Sequence, residues 1–147
     1  MAIRRLSASR FIERPPAEVF DWVADYRNVP KVMAGVSDWR PLGKQAEGVG
    51  ASYLVELGEL PIPLRARLVI VEWKRPEAIA WTTEASPVTN RGRWTFRHRE
   101  EGTEVELAVT YRPPGGGLGN ILASGIEGIV QGRILAALDR MKEELER

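Results

Sequence analysis

The sequence RPPGGGLGNILASG, residues 112–125, places a cluster of glycines directly before a long apolar run. Glycine clusters that lead into a helix hold phosphate in many proteins, because free backbone N–H groups and a helix N-terminus attract anions. A phosphate-binding loop ends in Gly-Lys-Ser or Gly-Lys-Thr, whereas Gly119 is followed by Asn120. A dinucleotide fingerprint that begins at Gly117 requires a third glycine at position 122, where this chain has Leu122. The spacing therefore fits neither motif and indicates a flexible connection between a strand and a helix.

Three other sites carry groups for acid, base or nucleophilic chemistry. Asp21 and Asp25 lie one helical turn apart, and a pair of carboxylates can divide the acid and base roles. Their position on an amphipathic helix beside Arg27 favours solvated or capping roles instead. His98 is the single histidine and the one side chain that ordinarily titrates near neutral pH, so it is the weak candidate for a catalytic residue. Ser124 has neither a neighbouring base nor the sequence of a nucleophile elbow.

The composition excludes several function classes. The 147 residues contain no cysteine and one histidine, which excludes disulfides, cysteine nucleophiles and metal sites built on Cys or His, and we expect no cofactor and no metal. The 21 basic and 20 acidic residues give a net charge of +1, without the excess positive charge that nucleic-acid binding requires. No apolar run has the length of a signal peptide core or a membrane span, so we expect a cytoplasmic protein without stable membrane insertion.

The apolar periodicity predicts an α+β order of elements in one domain, residues 1–147. The segment IRRLSASRFI is a predicted strand, and AEVFDWVADY then places Val19, Phe20 and Val23 on one face of a helix. The segment RNVPKVMAGV predicts a short second helix or an irregular turn. Five strand-like segments follow, separated by Gly, Pro and charged turns: ASYLVEL, PLRARLVIVEW, AIAWTTEAS, RGRWTFRHR and TEVELAVTYR.

The last two strands predict how they pair with each other. A two-residue turn at Glu101 and Gly102 fixes the register of the hairpin. This register sets apolar pairs on one face and opposite charges on the other: Phe96 with Leu107, Trp94 with Val109, Arg99 with Glu104, and Arg97 with Glu106. We therefore expect a sheet with one apolar face and one charged face. The matching glutamates favour this interpretation over an RNA-stacking strand in which arginines and aromatic residues alternate.

A single long helix is predicted from about Leu118 to Glu146, which would span about 45 Å. The first half carries one apolar face, and the second half carries another at 4-3-4 spacing. The predicted faces are Leu118, Leu122, Ile126, Ile129 and Val130 in the first half, and Ile134, Leu138, Met141 and Leu145 in the second. Because the two stripes are offset, we expect the halves of the helix to face different surroundings.

Two stretches of sequence, together with the order of elements, resemble the START-like (SRPBCC, helix-grip) superfamily. ERPPAEVFDWVADYRNVPKVMAGVSDWRPL resembles its Pro-x-x-x-Val-(Phe/Trp)-x-x-(Val/Leu)-x-Asp pattern, and GRWTFRHREEGTEVELAVTYRPPGG resembles its last hairpin. The resemblance covers essentially the whole chain and is nearest to the bacterial polyketide cyclase/dehydrase and coenzyme-Q-binding branch. It implies a helix-grip fold, in which a curved antiparallel sheet wraps around the C-terminal helix and two short helices follow the first strand. It also implies a cavity between sheet and helix that binds hydrophobic molecules, while no residue set common to the fold performs chemistry.

The parity of the strands and the resemblance together predict the wall of this cavity. The predicted ligand-binding residues are Tyr53, Val55, Leu68, Ile70, Trp81, Thr83, Trp94, Phe96, Val109, Tyr111, Leu122, Ile126, Ile129 and Arg133. We expect Thr83, Tyr111 or Arg133 to orient a polar group of the ligand. Arg133 would pair with an acidic head group or with an internal carboxylate such as Glu72. The residues from Pro113 to Gly119 are expected to form a pliable edge of the cavity that moves to admit the ligand.

Three functions are compatible with these expectations. The first is the binding or transport of a hydrophobic or amphipathic small molecule, such as a lipid, an isoprenoid quinone or a polyketide. The alternative is a polyketide cyclase or dehydratase that uses the same cavity, which requires a positioned acid or base. In the third, the cavity is mostly filled and the domain acts through transient contacts with a protein or a membrane.

Overall fold

The computed structural model describes residues 3–58, 64–84, 89–112 and 116–147, without the side chains of residues 64, 89, 116–124 and 126. The elements follow the chain in this order: β1 (Arg4–Ile12), α1 (Pro16–Ala24), α2 (Val29–Val32), β2 (Val36–Pro41), β3 (Ser52–Leu57), β4 (Leu64–Lys74), β5 (Ala78–Glu84), β6 (Thr89–Arg99), β7 (Gly102–Arg112) and α3 (Gly116–Glu146). The strands form a curled antiparallel sheet in the order β1-β7-β6-β5-β4-β3-β2, and α3 lies across its concave face. The predicted α+β class and helix-grip fold are confirmed.

The two short helices occur where the sequence predicts them. Pro15 is the N-cap of α1 and Pro16 is its first residue, a position where the missing N–H costs nothing. The predicted apolar face of α1 is buried through Val19, Phe20 and Val23. This face seals one end of the concave surface, since Val19 and Phe20 are at most 1% exposed.

Strand β2 is an element that the sequence pattern does not reveal. It is six residues long, contains Ser37 and Asp38, and ends at Pro41. It pairs on one side with β3 and has an irregular register between Val36 and Asp38. Proline is tolerated in such a strand because an edge strand has N–H groups that need no ladder partner.

The β6–β7 hairpin has the predicted faces but not the predicted register. Trp94 lies opposite Leu107 and Phe96 lies opposite Val105, two residues away from the predicted pairs. A shift of two residues keeps every side chain on the same face of the sheet, because side chains alternate with a period of two. The apolar and charged faces are therefore as predicted. In the observed register, Glu104 forms ion pairs with two arginines of β6, Arg97 at 3.2 Å and Arg99 at 3.0 Å.

The turn of the hairpin lies one residue earlier than predicted, and Gly102 belongs to the strand instead. The turn consists of Glu100 and Glu101, and Glu100 adopts a φ of 53°. Gly102 is the first residue of β7, and a Cβ at this position would overlap the carbonyl oxygen of Ile12 and lie 2.7 Å from the ring of Phe11. The glycine is required by the close approach of β1, whereas the sequence pattern attributes it to the turn.

Helix α3 rests on both borders of the concave face. On the β1 side, Gln131 donates a hydrogen bond to the Ser7 carbonyl at 3.2 Å, and the Lys142 ammonium donates to the Phe11 carbonyl at 2.7 Å. On the other side, the Arg140 guanidinium donates to the Val32 carbonyl of α2 at 3.1 Å. The second half of the helix buries its predicted apolar face, whose members are all exposed by 8% or less: Ile134, Leu138, Met141 and Leu145.

Candidate ligand-binding site

The space between α3 and the middle of the sheet is the candidate site. Among the described residues, the backbone of α3 runs close to β1 and α2, and approaches β3–β6 at isolated points at most. Side chains of the central strands and of α3 therefore determine how much of this space is filled.

The ten predicted strand residues of the site lie on the concave face. Register pairs connect them across the sheet, with Tyr53 opposite Leu68, Leu68 opposite Thr83, and Ile70 opposite Trp81. Val109 and Tyr111 continue the same face on β7, where they lie opposite residues of β1 and β6. The parity of the strands thus gathers these residues on one surface.

Part of this surface is packed core under α1. The Phe20 ring meets the rings of Trp73 and Phe96 edge-on, with both centroid distances at 5.5 Å. Phe96 in turn stacks parallel to Trp94 at 6.3 Å, and both side chains are at most 6% exposed. Phe96 therefore lies against the side chains of α1, at the closed end of the concave face.

The other end of the concave face is less completely covered. Trp81, Thr83, Val109 and Tyr111 are half-buried there, and on α3 Val130 is likewise half-buried against the core. The indole of Trp81 lies flat across Gly92, where a Cβ would overlap the ring. The absence of a side chain at position 92 thus allows a flat aromatic surface along the wall.

Polar groups collect in one row at this open end. The Thr83 hydroxyl accepts a hydrogen bond from the Asn90 N–H at 2.9 Å and donates one to the Asn90 carbonyl at 3.1 Å. Tyr111 lies opposite Asn90 on one side and opposite Arg4 on the other. Above the row, Glu127 of α3 forms an ion pair with Arg4 at 2.9 Å. Thr83 and Tyr111 are predicted from the sequence, whereas Arg4 and Glu127 are not.

Only some of the helix residues predicted for the site have side chains that the structure describes. The side chains of Leu122 and Ile126 fall outside the described ones. Ile129 is 36% exposed and lies about 140° around the helix from the buried Ile134, at about 100° per residue, so it is turned away from the packed core, and its contact with a ligand stays a prediction. Gly128 lies about 100° farther around the helix, and apart from its chain neighbours and the helix's own backbone, no described atom lies within 4 Å of the position its Cβ would take.

Arg133 is held at the junction of β2 and β3. Its guanidinium donates a hydrogen bond to the Gly58 carbonyl at 3.2 Å and covers Gly35, where a Cβ would overlap it. Gly35 has a φ of +82°, a conformation that favours glycine. The alternative pairing with Glu72 is wrong, because Glu72 binds Arg93 at 2.7 Å on the opposite face of the sheet.

The candidate acids and bases lie away from the open end. Asp21 is bound by Arg75 through two 2.8 Å contacts, which lower the pKa of its carboxyl. Hydrogen bonds from the Arg27 side chain lower the pKa of Asp25 to about 2. His98 is exposed and lies opposite Thr103, next to the β6–β7 turn at the end closed by α1. The side chain of Ser124 is outside the described ones.

The hydroxyl of Tyr53 is engaged with the protein itself, because it donates a hydrogen bond to the Ala46 carbonyl of the β2–β3 connection. Burial, the Glu47 charge and Tyr26 raise the pKa of Tyr53 to about 12. Since the unfolded phenol ionises near pH 10, the raised pKa stabilises the fold fully below about pH 10, and this stabilisation is lost as the pH rises toward about 12. We expect alkaline pH to cost about 1 to 3 kcal/mol through this residue.

Urea unfolding at neutral and at alkaline pH measures this loss, and tyrosinate absorbance follows the titration itself. In Tyr53→Phe the starting stability is lower, because the hydrogen bond to Ala46 is absent. The alkaline decrease should nevertheless be smaller than in the parent protein. An equal decrease in both proteins would contradict the assignment to Tyr53.

A second concavity lies on the convex face of the sheet. This open groove has a volume of about 410 Å³ and exists because Ala80 and Ala108 are short among long charged neighbours. Arg5 and Arg93 border it, each with a carboxylate partner, at 3.8 Å for Arg5 and Glu106 and at 2.7 Å for Arg93. The groove is separated from the candidate site by the thickness of the sheet.

Two further observations concern the described part of the chain. None of its helices combines the length and the apolar character needed to cross a membrane. Within the same residues, no group of three or more His, Asp or Glu side chains is arranged to hold a metal ion.

Comparison with solved structures shows the same architecture in other proteins. TTHA0849 from Thermus thermophilus is 19% identical, with a TM-score of 0.82 and 97% of each chain covered. The Zhui aromatase/cyclase from Streptomyces sp. R1128 is 16% identical, with a TM-score of 0.82, 99% of this chain and 95% of that chain covered. The di-domain ARO/CYC BexL from the BE-7585A biosynthetic pathway is 16% identical, with a TM-score of 0.76, and the match covers 99% of this chain and 50% of that one.

These likenesses concern the fold, since all three identities are low. No curated protein sequence is significantly similar to the chain. The sequence profile of the family described as "Polyketide cyclase / dehydrase and lipid transport" matches residues 4–146. Because this match spans nearly the whole sequence, the chain belongs to the polyketide cyclase / dehydrase and lipid transport family of the SRPBCC superfamily.

Proposed function

We propose that the protein binds a hydrophobic or amphipathic small molecule, such as a lipid, an isoprenoid quinone or a polyketide, between the sheet and α3. The observation that carries this proposal is the partly covered apolar surface formed by Trp81, Val109 and Val130 at the open end of the concave face. Burial of apolar surface contributes about 25 cal/mol per Å². A ligand that buries roughly 200 Å² there would gain on the order of 5 kcal/mol.

The ligand is proposed to enter at the end of the sheet that lies opposite α1. Strands β3, β5 and β7 end there, and α3 begins there. The opposite end is closed by the buried side chains of Val19 and Phe20. The pliable edge expected at Pro113–Gly119 lies outside the residues that the structure describes with side chains.

Binding without chemistry is favoured over a cyclase or dehydratase activity. A cyclase or dehydratase function requires an acid or base beside the ligand. The support for it is the similarity in fold to two proteins described as aromatase/cyclases. His98, the weak catalytic candidate, lies at the end closed by α1, and Asp21 and Asp25 are held in ion pairs on α1 and just after it. A transport role, with transient contact to a membrane or protein partner, uses the same binding site.

Native mass spectrometry of gently purified protein tests the proposal directly. We expect a co-purified apolar molecule, and after its removal an enhanced fluorescence of Nile red on binding. Ligand binding to the folded state should also raise the melting temperature, by an amount equivalent to about 2.7 kcal/mol at a ligand concentration about 100 times its Kd. A bare mass, together with no Nile red signal and no thermal shift from lipids or quinones, would contradict the proposal.

A further inference from the structure

The convex face of the sheet is covered with ion pairs between neighbouring strands. Examples are Arg67 with Glu84 at 3.6 Å and Arg97 with Glu104 at 3.2 Å. Such cross-strand pairs neutralise the face locally and engage most of its arginines. The groove on this face crosses the sheet from β1 to β4, and its charges are balanced differently at the end formed by β1, β7 and β6.

Three arginines surround Thr110 of β7 at this end of the groove. Thr110 lies opposite Arg5 of β1 on one side and opposite Arg91 of β6 on the other. Arg112, two residues along β7, shares the face of Thr110 and lies diagonal to Arg91, where Cα atoms are about 7 to 8 Å apart. Side chains as long as these can reach a common point above Thr110. We call Arg5, Arg91 and Arg112 the arginine cluster.

The charge of the arginine cluster is not balanced by the protein. Arg5 lies 3.8 Å from Glu106, which is too far for a hydrogen bond, and it donates to the Ser7 hydroxyl at 3.0 Å. Arg91 and Arg112 are exposed and form no ion pair with a carboxylate in the described part of the chain. Three guanidinium groups and one carboxylate leave a net charge of +2 here. Because like charges repel each other, an anion with two negative charges would stabilise the cluster.

The rest of the groove offers apolar surface. Its floor is low because Ala108 and Ala80 are short, and Val71 at the far end is 51% exposed. Arg93 borders this part but is bound to Glu72 at 2.7 Å, so it adds no unbalanced charge. The groove volume of about 410 Å³ lies within the range of roughly 300 to 1,000 Å³ that small-molecule sites occupy. A ligand that fits is therefore anionic at one end and apolar along its body.

We propose that the groove on the convex face is a second ligand-binding site, which takes an organic phosphate with its phosphate on the arginine cluster and its apolar body over Ala108 and Ala80. A phosphate monoester carries about 1.5 to 2 negative charges at neutral pH and accepts bidentate hydrogen bonds from guanidinium groups. It therefore matches the cluster in both charge and geometry. The sheet separates this site from the concave face, so the inference does not depend on the proposed function.

Titration with naphthyl phosphate, phenyl phosphate and inorganic phosphate tests the site, followed by phosphorus NMR at low ionic strength. We expect naphthyl phosphate to bind most tightly and inorganic phosphate most weakly, because the larger ring buries more apolar surface on the floor of the groove. Added salt should weaken all three. Equal affinities would indicate an adventitious ion only and would overturn the proposal. Displacement of Nile red by naphthyl phosphate would overturn it too, since the phosphate would then lie in the concave site.

Arg91→Gln and Arg97→Gln are a matched pair of variants on one strand. Each removes one exposed positive charge from the same face of β6, but Arg97 is bound to Glu104 near the closed end. Arg91→Gln should weaken naphthyl phosphate binding about 3- to 10-fold, and Arg97→Gln by less than about 2-fold. Equal losses in the two variants would reveal attraction to diffuse surface charge and would overturn the proposed site.

Ala108→Leu raises the floor of the groove beside the arginine cluster. It should weaken naphthyl phosphate binding by about 3-fold or more and leave inorganic phosphate unchanged. Unchanged binding of both compounds would contradict the proposed position of the apolar body. Sedimentation with phosphatidylcholine vesicles that contain phosphatidic acid identifies the source of the phosphate. Recruitment that Arg91→Gln abolishes indicates a lipid head group, whereas no recruitment of a protein that binds naphthyl phosphate indicates a soluble ligand.

Discussion

Replacing Val130 with tryptophan is expected to abolish Nile red binding, whereas the same replacement at the adjacent Ile129 leaves binding intact. Val130 packs against the core from the sheet-facing side of α3 and is only partly covered, so an indole there would fill the space opposite Trp81 and Val109. Ile129 lies about 100° away around the same helical turn and is 36% exposed, so an indole there can extend into solvent. The two variants therefore introduce the same side chain at positions about 100° apart on one helix, one partly covered and one more exposed.

Fluorescence titration with Nile red at equal protein concentrations measures this difference, and circular dichroism establishes that both variants are folded. The loss in Val130→Trp should exceed about 10-fold in affinity, because a filled site leaves no room for the apolar body. The melting temperature of Val130→Trp should not fall far, since its side chain enters a partly open region and not the packed core. Equal binding by both variants would contradict the proposed position of the site.

The overall fold follows from patterns that the sequence carries locally. The alternation of apolar residues identifies most strands, and it assigns Trp81, Trp94 and Val109 to one face irrespective of the exact pairing. Such parity survives a register error of two residues, which is why the faces of the β6–β7 hairpin are right although its pairs are not. The shift itself depends on the contact between Gly102 and β1, which lies at the other end of the chain.

The candidate site is less predictable, because its composition depends on contacts between distant segments. Arg4 and Glu127 meet across 123 positions, and neither belongs to a motif that would select it. In the sequence, Ile129 belongs to the same apolar stripe as residues that are buried. Because no charged residue lies beside it on the exposed part of α3, the sequence alone does not show which face of the helix is turned toward the sheet. Here the neighbouring Glu127 and Gln131, which bind Arg4 and the Ser7 carbonyl, mark the side that faces the sheet.

The division of the concave face into a closed and an open end has an energetic meaning. At the closed end, aromatic rings from α1, β4 and β6 contact one another directly, and their burial stabilises the fold in the absence of any ligand. At the open end, the partly covered Trp81 and Val109 leave apolar surface whose burial requires a bound molecule. Substitutions at the two ends should therefore affect different quantities, stability at one and affinity at the other.

Phe20→Ala is expected to lower the free energy of unfolding by about 3 to 5 kcal/mol, the usual cost of deleting a buried phenylalanine ring. Phe20 is 1% exposed and makes edge-on contacts with Trp73 and Phe96, so its removal leaves a cavity that rigid neighbours cannot close. Urea unfolding followed by tryptophan fluorescence measures the loss. Asp21→Ala on the same helix is the matched control, and it should shift the midpoint little because its ion pair with Arg75 is exposed.

Phe20→Ala also tests how far the ligand extends toward α1. At a temperature well below its transition, folded Phe20→Ala should bind Nile red with the affinity of the parent protein, because the closed end is filled by the protein itself. A large loss of affinity in the folded variant would place the ligand against α1, and Phe96 would then line the site as the strand parity suggests. An unchanged affinity, together with the loss of stability, would confine the ligand to the region between Trp81, Val109 and Val130, where the polar row at Tyr111 limits it on the outer side.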